Sequence, residues 1–222
     1  GVRISHEWIY QSIHADKHSG GDPRRSLRCR KGRGKRYGSY DRRGIIPERG
    51  SMDERPAIVN AKRRFGDWEG DTVSGKGHRG ALVTLVERKS PYTVIGSLEH
   101  EKADAVRKTV TEALMPYKER VRTITYDNGR EFADHQGMAN DLEARIYFAH
   151  PYASWERGLN ENTNGLIRQY FPKQQALNTV TNAQIKHALD KLNHRPRKTL
   201  GFRTPHEFFS KTKTSLTVAL RS

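Results

Sequence analysis

The order of strand-like and helix-like patterns from Phe65 onward most constrains the fold of this chain. Apolar and β-branched runs predict strands at 66–73, 81–88, 92–98, 121–126 and 145–148. Helical periodicity covers 103–115, 131–142, 154–170 and 182–193, and a capping box at Thr204 begins a short final helix. Three consecutive strands followed by alternating helices and strands predict an α/β fold, a mixed five-stranded sheet flanked by helices.

The first third of the chain carries most of the excess positive charge. Of the net charge of +16, residues 1–64 contribute +10 and residues 65–222 contribute +6. Ten basic residues are interleaved with glycine and tyrosine: Arg24, Arg25, Arg28, Arg30, Lys31, Arg33, Lys35, Arg36, Arg42 and Arg43. This composition buries too little apolar area to fold alone, so it predicts a basic N-terminal arm that binds DNA phosphates. A solvated linker without a partner is the alternative.

The remaining composition excludes several classes of protein. Cys29 is the single cysteine, which rules out an internal disulfide and a multi-cysteine metal site. No apolar stretch approaches the ~18 residues of a membrane span, so we expect a cytoplasmic protein without a membrane partner. Ser5 predicts the cap of a short helix that ends near His18, which we interpret as part of a longer N-terminal region; the resemblance described below implies that it is the remnant of an N-terminal DNA-binding region.

The segment Gly70–Gly77 is similar to a phosphate-binding loop, but three features argue against that function. Gly77 replaces the hydroxyl residue that would bind magnesium, and Asp71 would put a negative charge in an anion site. No helix follows to supply an N-terminal dipole. We therefore predict a hairpin turn with exposed cations at 75–80.

Three regions hold carboxylates that fit a metal site. Asp67, Glu69 and Asp71 alternate along one strand and so face one side of the sheet, although an edge strand with a solvated face would also explain them. Asp127 follows a strand at its carboxyl end, where α/β sheets bind ligands, or it belongs to an ordinary Asp-Asn-Gly turn. Glu161 lies on a polar helix face with Arg157, Asn164 and Arg168, which is either functional or simply solvated.

Strand and helix carboxylates in a strongly basic protein point to a particular chemistry. Two divalent metals held ~3.5–4 Å apart clamp the attacking and leaving oxygens of a phosphodiester. Carboxylate oxygens are the hard ligands that Mg²⁺ prefers. Clustered anions on a DNA-binding surface repel the substrate unless metal ions neutralise them. The pattern therefore predicts in-line attack on a phosphodiester with two divalent ions, Mg²⁺ or Mn²⁺.

Three longer motifs resemble the bacterial insertion-sequence transposases of the IS-thirty type, a family of DDE transposases. They are Trp68-Glu69-Gly70-Asp71, then Asp127-Asn128-Gly129 with Glu131-Phe132, then Trp155-Glu156-Arg157-Gly158 with Asn160-Glu161-Asn162-Thr163-Asn164-Gly165 and Arg168-Gln169-Tyr170-Phe171-Pro172. Thirty-three residues separate Asp127 from Glu161, as that family's signature requires. The resemblance implies a ribonuclease-H-like integrase core with Asp71, Asp127 and Glu161 as its metal-binding triad.

The resemblance also sets the expected organisation and partners. We assign 1–20 to the short helix, 21–64 to the basic linker or arm, 65–210 to the integrase-like catalytic core and 211–222 to a C-terminal tail. The partners expected are the terminal inverted repeats of an element and target DNA, bound by a homo-oligomer in a nucleoid-associated complex. Asn164 and Arg168 are expected to face the DNA. The family's helix-turn-helix region has no counterpart in these residues, so we expect weak preference for element ends.

Two other functions fit the same residues. A non-catalytic DNA-binding fragment of a decayed element would need the arm but not the carboxylates. A structure-selective nuclease on the same fold would cut DNA without joining it. Metal-dependent cutting of DNA would distinguish a transposase from a non-catalytic DNA-binding fragment. Joined DNA products would distinguish it from a structure-selective nuclease.

Overall fold

The computed structural model describes residues 5–18, 20–21, 46–150 and 154–210. The chain divides into two compact units, Gly1–Arg42 and Arg43–Ser222. In the first unit, helix α1 (His6–His18) follows Ser5, whose Oγ accepts a hydrogen bond of 3.1 Å from the Trp8 amide. The predicted cap of this helix is therefore confirmed. Within the described residues, no helix is both long and apolar enough to span a membrane.

A mixed six-stranded sheet forms the centre of the second unit. Its strands are β1 (Gly50–Ser51), β2 (Asp67–Ser74), β3 (Ala81–Glu87), β4 (Thr93–Leu98), β5 (Thr123–Tyr126) and β6 (Arg145–Phe148). The order is β1-β6-β5-β2-β3-β4. Strands β2, β3 and β4 pair antiparallel, while β5, β6 and β1 continue the sheet in parallel from β2. The predicted mixed sheet is present.

Strand β1 was not predicted from the sequence because it is only two residues long. Strand β1 pairs in parallel with β6, with Gly50 beside Tyr147. A two-residue strand has no measurable alternation. The residues around it also belong to the core unit: Ile46 and Val59 are buried, and Arg55 donates a hydrogen bond of 2.9 Å to Thr125 on β5. The structure thus packs Ile46, Arg55 and Val59, which lie in the range that the sequence analysis assigned to the linker, within the core unit.

Helices cover both faces of the sheet. They are α2 (Ala57–Asn60), α3 (Ala103–Leu114), α4 (His135–Leu142), α5 (Gly158–Ile167), α6 (Asn182–Asn193) and α7 (Pro205–Ser210). One face packs Trp68, Leu85 and Ile124 against α3 and α4. The other packs Val73 and Leu82 against α5 and α6. Since side chains alternate along a strand, the odd-numbered acids of β2 lie on the α5 and α6 side.

Two predicted helices are shorter in the structure than their periodicity indicated. The segment 131–142 begins as a 3₁₀ turn, Arg130–Phe132, before α4. The segment 154–170 begins as a 3₁₀ turn, Ser154–Arg157, and its α-helix ends at Ile167. Pro172 disfavours helical backbone in the residue before it, so the last turn is not extended. The capping box predicted at Thr204 is present. Thr181, the residue before α6, also forms a capping box, with Gln184.

Two local features shape β2. Its link to β3 is the predicted hairpin, closed by a hydrogen bond of 2.8 Å from the Gly75 amide to the Gly80 carbonyl. In the middle of the strand, a Cβ at Gly70 would lie 2.1 Å from a ring carbon of Tyr126. Tyr126 is fully buried and stacks on Phe132 at a centroid distance of 4.0 Å. Only glycine fits at position 70 while this ring is in place.

Candidate active site

Strand β2 lies in the interior of the sheet, between β5 and β3, so its acids do not belong to a solvated edge. Two of them have complete sets of partners. Asp67 accepts two hydrogen bonds of 2.9 Å from Arg64 and one of 2.8 Å from the Thr123 hydroxyl. Glu69 forms a buried ion pair with Arg88. Glu69 also accepts a hydrogen bond of 2.9 Å from an amide in the first turn of α5, described below.

Asp71 is the acid of β2 that remains partly open to solvent. Its Oδ1 accepts a hydrogen bond of 2.9 Å from the Thr72 amide, and its Oδ2 accepts one of 3.0 Å from the side chain of Asn164. The pKa of Asp71 is raised to about 6, by burial first and also by the nearby Asp127 and Glu131 carboxylates, while Arg157 and the Thr72 amide oppose the rise. An anion in this environment favours a cation as its neighbour.

Asp127 lies beside Asp71 because of the strand register. Strands β2 and β5 are parallel, and Glu69 pairs with Thr125, so two further residues along each strand bring Asp71 and Asp127 to adjacent positions. The Oδ1 of Asp127 accepts a hydrogen bond of 3.0 Å from the Gly129 amide, which forms the Asp-Asn-Gly turn. Its Oδ2 is directed to Arg157 at 3.2 Å. Asp127 therefore makes the turn and also faces the site.

One guanidinium bridges the two aspartates. Arg157 is the N-cap residue of α5, and its side chain reaches back to the sheet instead of capping its own helix. Its Nη1 lies 3.5 Å from Asp71 Oδ2, and its Nη2 lies 3.2 Å from Asp127 Oδ2. Its Nε is buried without a hydrogen-bond partner in the described structure.

Glu161 has a different environment from the two aspartates. It is an exposed residue in the first turns of α5. Glu161 follows Arg157 by four residues and precedes Asn164 by three, so the three residues share one face of the helix. Arg157 and Asn164 both contact Asp71. Among the described residues, no group of three histidine, cysteine or acidic side chains is close enough to hold a metal ion. The structure brings Asp71 and Asp127 together through Arg157 and leaves Glu161 exposed on α5.

A hydrogen-bond chain behind Asp71 fixes the position of the carboxylate. The side-chain Nδ2 of Asn164 donates a hydrogen bond to Asp71, and the Oδ1 of Asn164 accepts one of 2.9 Å from the Thr84 hydroxyl on β3. Asn164, predicted to face DNA, thus contacts a site carboxylate in this structure. Arg168 donates to the Ser74 carbonyl at 3.0 Å. The ten basic arm residues lie outside the described residues.

Glu131 is a further acid near the site that the sequence analysis did not select. Its Oε1 accepts a hydrogen bond of 2.9 Å from the Thr72 hydroxyl, immediately after Asp71. Its carboxylate also lies over Gly129, where an added Cβ would be 2.4 Å from Oε2. The sequence analysis quoted Glu131 only as part of the motif that contains Asp127, and its place four residues after Asp127 does not distinguish it from any acid in a loop.

The fold and this pair of aspartates define an integrase-type catalytic core. Residues 61–154 match the family model for the integrase core domain, a range that includes Asp71 and Asp127 and stops before Glu161. The chain also resembles one protein of a cryo-EM structure of a simian T-cell lymphotropic virus intasome in complex with PP2A regulatory subunit B56 gamma. The TM-score is 0.54 at 21% identity, over 82% of this chain and 61% of that chain. The ribonuclease-H-like integrase core expected from the sequence is confirmed.

The chain belongs to the IS30-type transposases of bacterial insertion sequences. It is 49% identical over 221 residues to the transposase for insertion sequence element IS4351 of Bacteroides fragilis, covering 99% of this chain and 68% of that protein. It is 38% identical to the transposase for IS1086 of Cupriavidus metallidurans, over 92% and 61% of the two chains. The transposase InsI for IS30A of Escherichia coli (strain K12) is 36% identical, over 95% and 56%.

Proposed function

We propose that this chain is a DNA transposase that cleaves the ends of an insertion sequence and joins them to target DNA. The observation that carries the proposal is the placement of Asp71 and Asp127 side by side on parallel strands, where both contact one cation. Membership of a transposase family supports the same conclusion. DNA ends and target DNA are the proposed substrates, bound by more than one copy of the chain.

The donor set fits hard divalent ions such as Mg²⁺ or Mn²⁺. Asp71 and Asp127 already direct one oxygen each toward the same positive group, which is the arrangement that a shared metal ion requires. We assign Asp71, Asp127 and Glu161 as the ligands. Two bound ions would supply an activated oxygen nucleophile and stabilise the leaving oxygen at the scissile phosphate.

The protein's own part is to hold these carboxylates in place. The Thr84 hydroxyl holds the side chain of Asn164 by a hydrogen bond, and Asn164 in turn donates to one carboxylate oxygen of Asp71. The Thr72 backbone amide donates to the other oxygen. The Gly129 amide sets the rotamer of Asp127. Hydrogen-bond partners of this kind orient metal ligands and are costly to remove.

Helix α5 is anchored to the sheet at its first turn. The Asn160 amide donates to Glu69, which is itself paired with Arg88. Asn160 precedes Glu161 in the chain, so this hydrogen bond fixes the position of the helix backbone at Glu161. The basic residues at 24–43, together with Asn164 and Arg168, are the proposed DNA contacts.

A strand-transfer assay tests the proposal. The protein is incubated with labelled element-end DNA, a target duplex and Mg²⁺, and both nicked and joined products are scored. Joined products support transposition. Nicks without joining would favour a structure-selective nuclease, and DNA binding without either product would favour a non-catalytic DNA-binding protein.

A further inference from the structure

We propose that Arg157 is a built-in counter-ion of the proposed metal site: it pairs with both aspartates and must leave them before they bind a metal ion. A DNA phosphate then becomes its partner, so that DNA binding and metal binding favour each other. The inference rests on the proposed function, because it needs Asp71 and Asp127 to be metal ligands.

The geometry shows that Arg157 occupies the position that a shared cation needs. Its two terminal nitrogens lie 3.5 Å and 3.2 Å from the facing oxygens of Asp71 and Asp127. Two cations cannot occupy the same space between two carboxylates, and like charges at this distance repel strongly. The aspartates therefore exchange one positive partner for another.

The same geometry shows that Arg157 is held loosely. Charge-assisted hydrogen bonds between arginine and carboxylate are typically about 2.7–2.9 Å long, and both contacts here are longer. The third contact, from Nη1 to the Gly70 carbonyl, is 3.4 Å, and Nε has no partner although it is buried. A guanidinium with an unused donor gains hydrogen bonds by moving to a phosphate, which arginine binds with two parallel donors.

Arg157 is also placed to move without unfolding its helix. It occupies the N-cap position of α5 and belongs to a short 3₁₀ turn, so its side chain makes no bond within the α-helix. The α-helix itself remains anchored by the bond from the Asn160 amide to Glu69. The displacement therefore involves one side chain.

The chain offers a matched control for this experiment. Arg107 on α3 also bridges two aspartates, Asp134 at 3.3 Å and Asp141 at 2.8 Å, but it does so between α3 and α4, on the opposite face of the sheet. Arg107→Gln removes an equivalent bidentate guanidinium without touching the site.

The experiment measures Mn²⁺ binding to the full 222-residue chain by calorimetry, with and without a short DNA duplex. Arg157→Gln is expected to bind Mn²⁺ about fivefold or more tightly than the wild type without DNA, within the ~5–150-fold range of typical coupling. DNA is expected to tighten Mn²⁺ binding in the wild type and to do so much less in Arg157→Gln. Arg107→Gln should behave as the wild type does in both respects.

Arg157→Lys is the second variant, because it keeps a positive charge at the site. It tests the inference even if Arg157→Gln does not fold. It is expected to bind Mn²⁺ close to the wild-type affinity. An arginine that only supports the fold predicts the opposite result, weaker Mn²⁺ binding in Arg157→Gln together with a lower melting temperature, and that result would overturn the inference. So would an Arg157→Lys affinity several-fold tighter than that of the wild type.

Asp127→Asn separates this inference from the proposed function. If Mn²⁺ binding is lost in Asp127→Asn but unchanged in Arg157→Gln, the metal site stands and the role of Arg157 is refuted. If Asp127→Asn binds Mn²⁺ as well as the wild type, the metal site and the role of Arg157 are both refuted.

Discussion

Replacing Glu69 with glutamine should destabilise this protein far more than removing an exposed acid. Glu69 and Arg88 form an ion pair whose side chains are 1% and 6% exposed. Arg55, also buried, has its pKa lowered to about 10, by burial first and then by the charge of Arg88, while Glu69 opposes the shift. Glu69→Gln therefore removes the anion paired with Arg88 and leaves two buried guanidinium groups that repel each other, with only the smaller effects of Glu156 and Asp67 to offset the repulsion.

The expected cost follows from this burial. Removing one partner of a buried ion pair typically destabilises a protein by ~3–5 kcal/mol, because an uncompensated charge is left behind. Total stabilities are ~5–15 kcal/mol, so much of the margin is lost. With a urea m-value of roughly 2 kcal/mol/M, the midpoint of urea unfolding should fall by about 1.5–2.5 M. Because Glu69 also anchors α5, DNA cleavage should fall even where the protein remains folded.

Two comparisons test the reasoning. Asp141→Asn removes a carboxylate that pairs with Arg107 at the surface, and the two side chains are 30% and 39% exposed, so the expected cost is ~0.2–1 kcal/mol. The double variant Glu69→Gln with Arg88→Met should be more stable than Glu69→Gln alone, since both charges are removed. Equal destabilisation by Glu69→Gln and Asp141→Asn, or no recovery in the double variant, would refute the argument.

Three other expectations concern the site, the arm and a histidine. Asp127→Asn should abolish metal-dependent DNA cleavage in a labelled-end assay and leave DNA binding by gel shift intact, and retained cutting would remove Asp127 from the mechanism. Replacing six basic residues within 24–43 should flatten the salt dependence of DNA affinity by a slope of about 5, from ~0.9 per phosphate contact, whereas an unchanged slope would identify a plain linker. The pKa of His150 is raised above 6.5 by hydrogen bonds to Glu156 and then Asp53. A histidine whose pKa is raised by folding stabilises the fold at pH values below its pKa in the unfolded chain, and this stabilisation is lost as the pH rises through its pKa in the folded protein. Unfolding experiments should therefore show that His150→Gln lowers the free energy of unfolding at pH 5.5 and much less at pH 8.5. A larger effect at pH 8.5 would contradict this.

The sequence predicted the sheet well because its strands are strongly patterned. Strands β3 and β4 are rich in apolar and β-branched residues. The register of β2 against β5 was not predicted, because no sequence pattern specifies it. Strand β1 was not predictable, since two residues carry no period. The packing of 46–64 was missed for a related reason: its buried residues, such as Ile46 and Val59, are too widely spaced to form a pattern.

The candidate site was only partly predictable. Alternation placed Asp67, Glu69 and Asp71 on one face, but contacts from other parts of the chain distinguish them, and no local rule identifies these contacts. The contacts are Thr123 for Asp67, Arg88 for Glu69 and Asn164 for Asp71. The bridging position of Arg157 depends on how α5 docks against the sheet. Helical spacing related it to Glu161 but did not indicate that it reaches Asp127.

The close approach of Tyr126 to Gly70 limits how this family of sequences can change. A methyl group at position 70 would overlap the Tyr126 ring, and that ring is stacked on Phe132, next to the turn that carries Asp127. A larger residue at position 70 is therefore acceptable only with a smaller one at position 126, and the smaller residue leaves Phe132 without its stacking partner. Substitutions at 70 and 126 should appear together in related transposases, and variants that change one alone should accumulate a compensating change at the other.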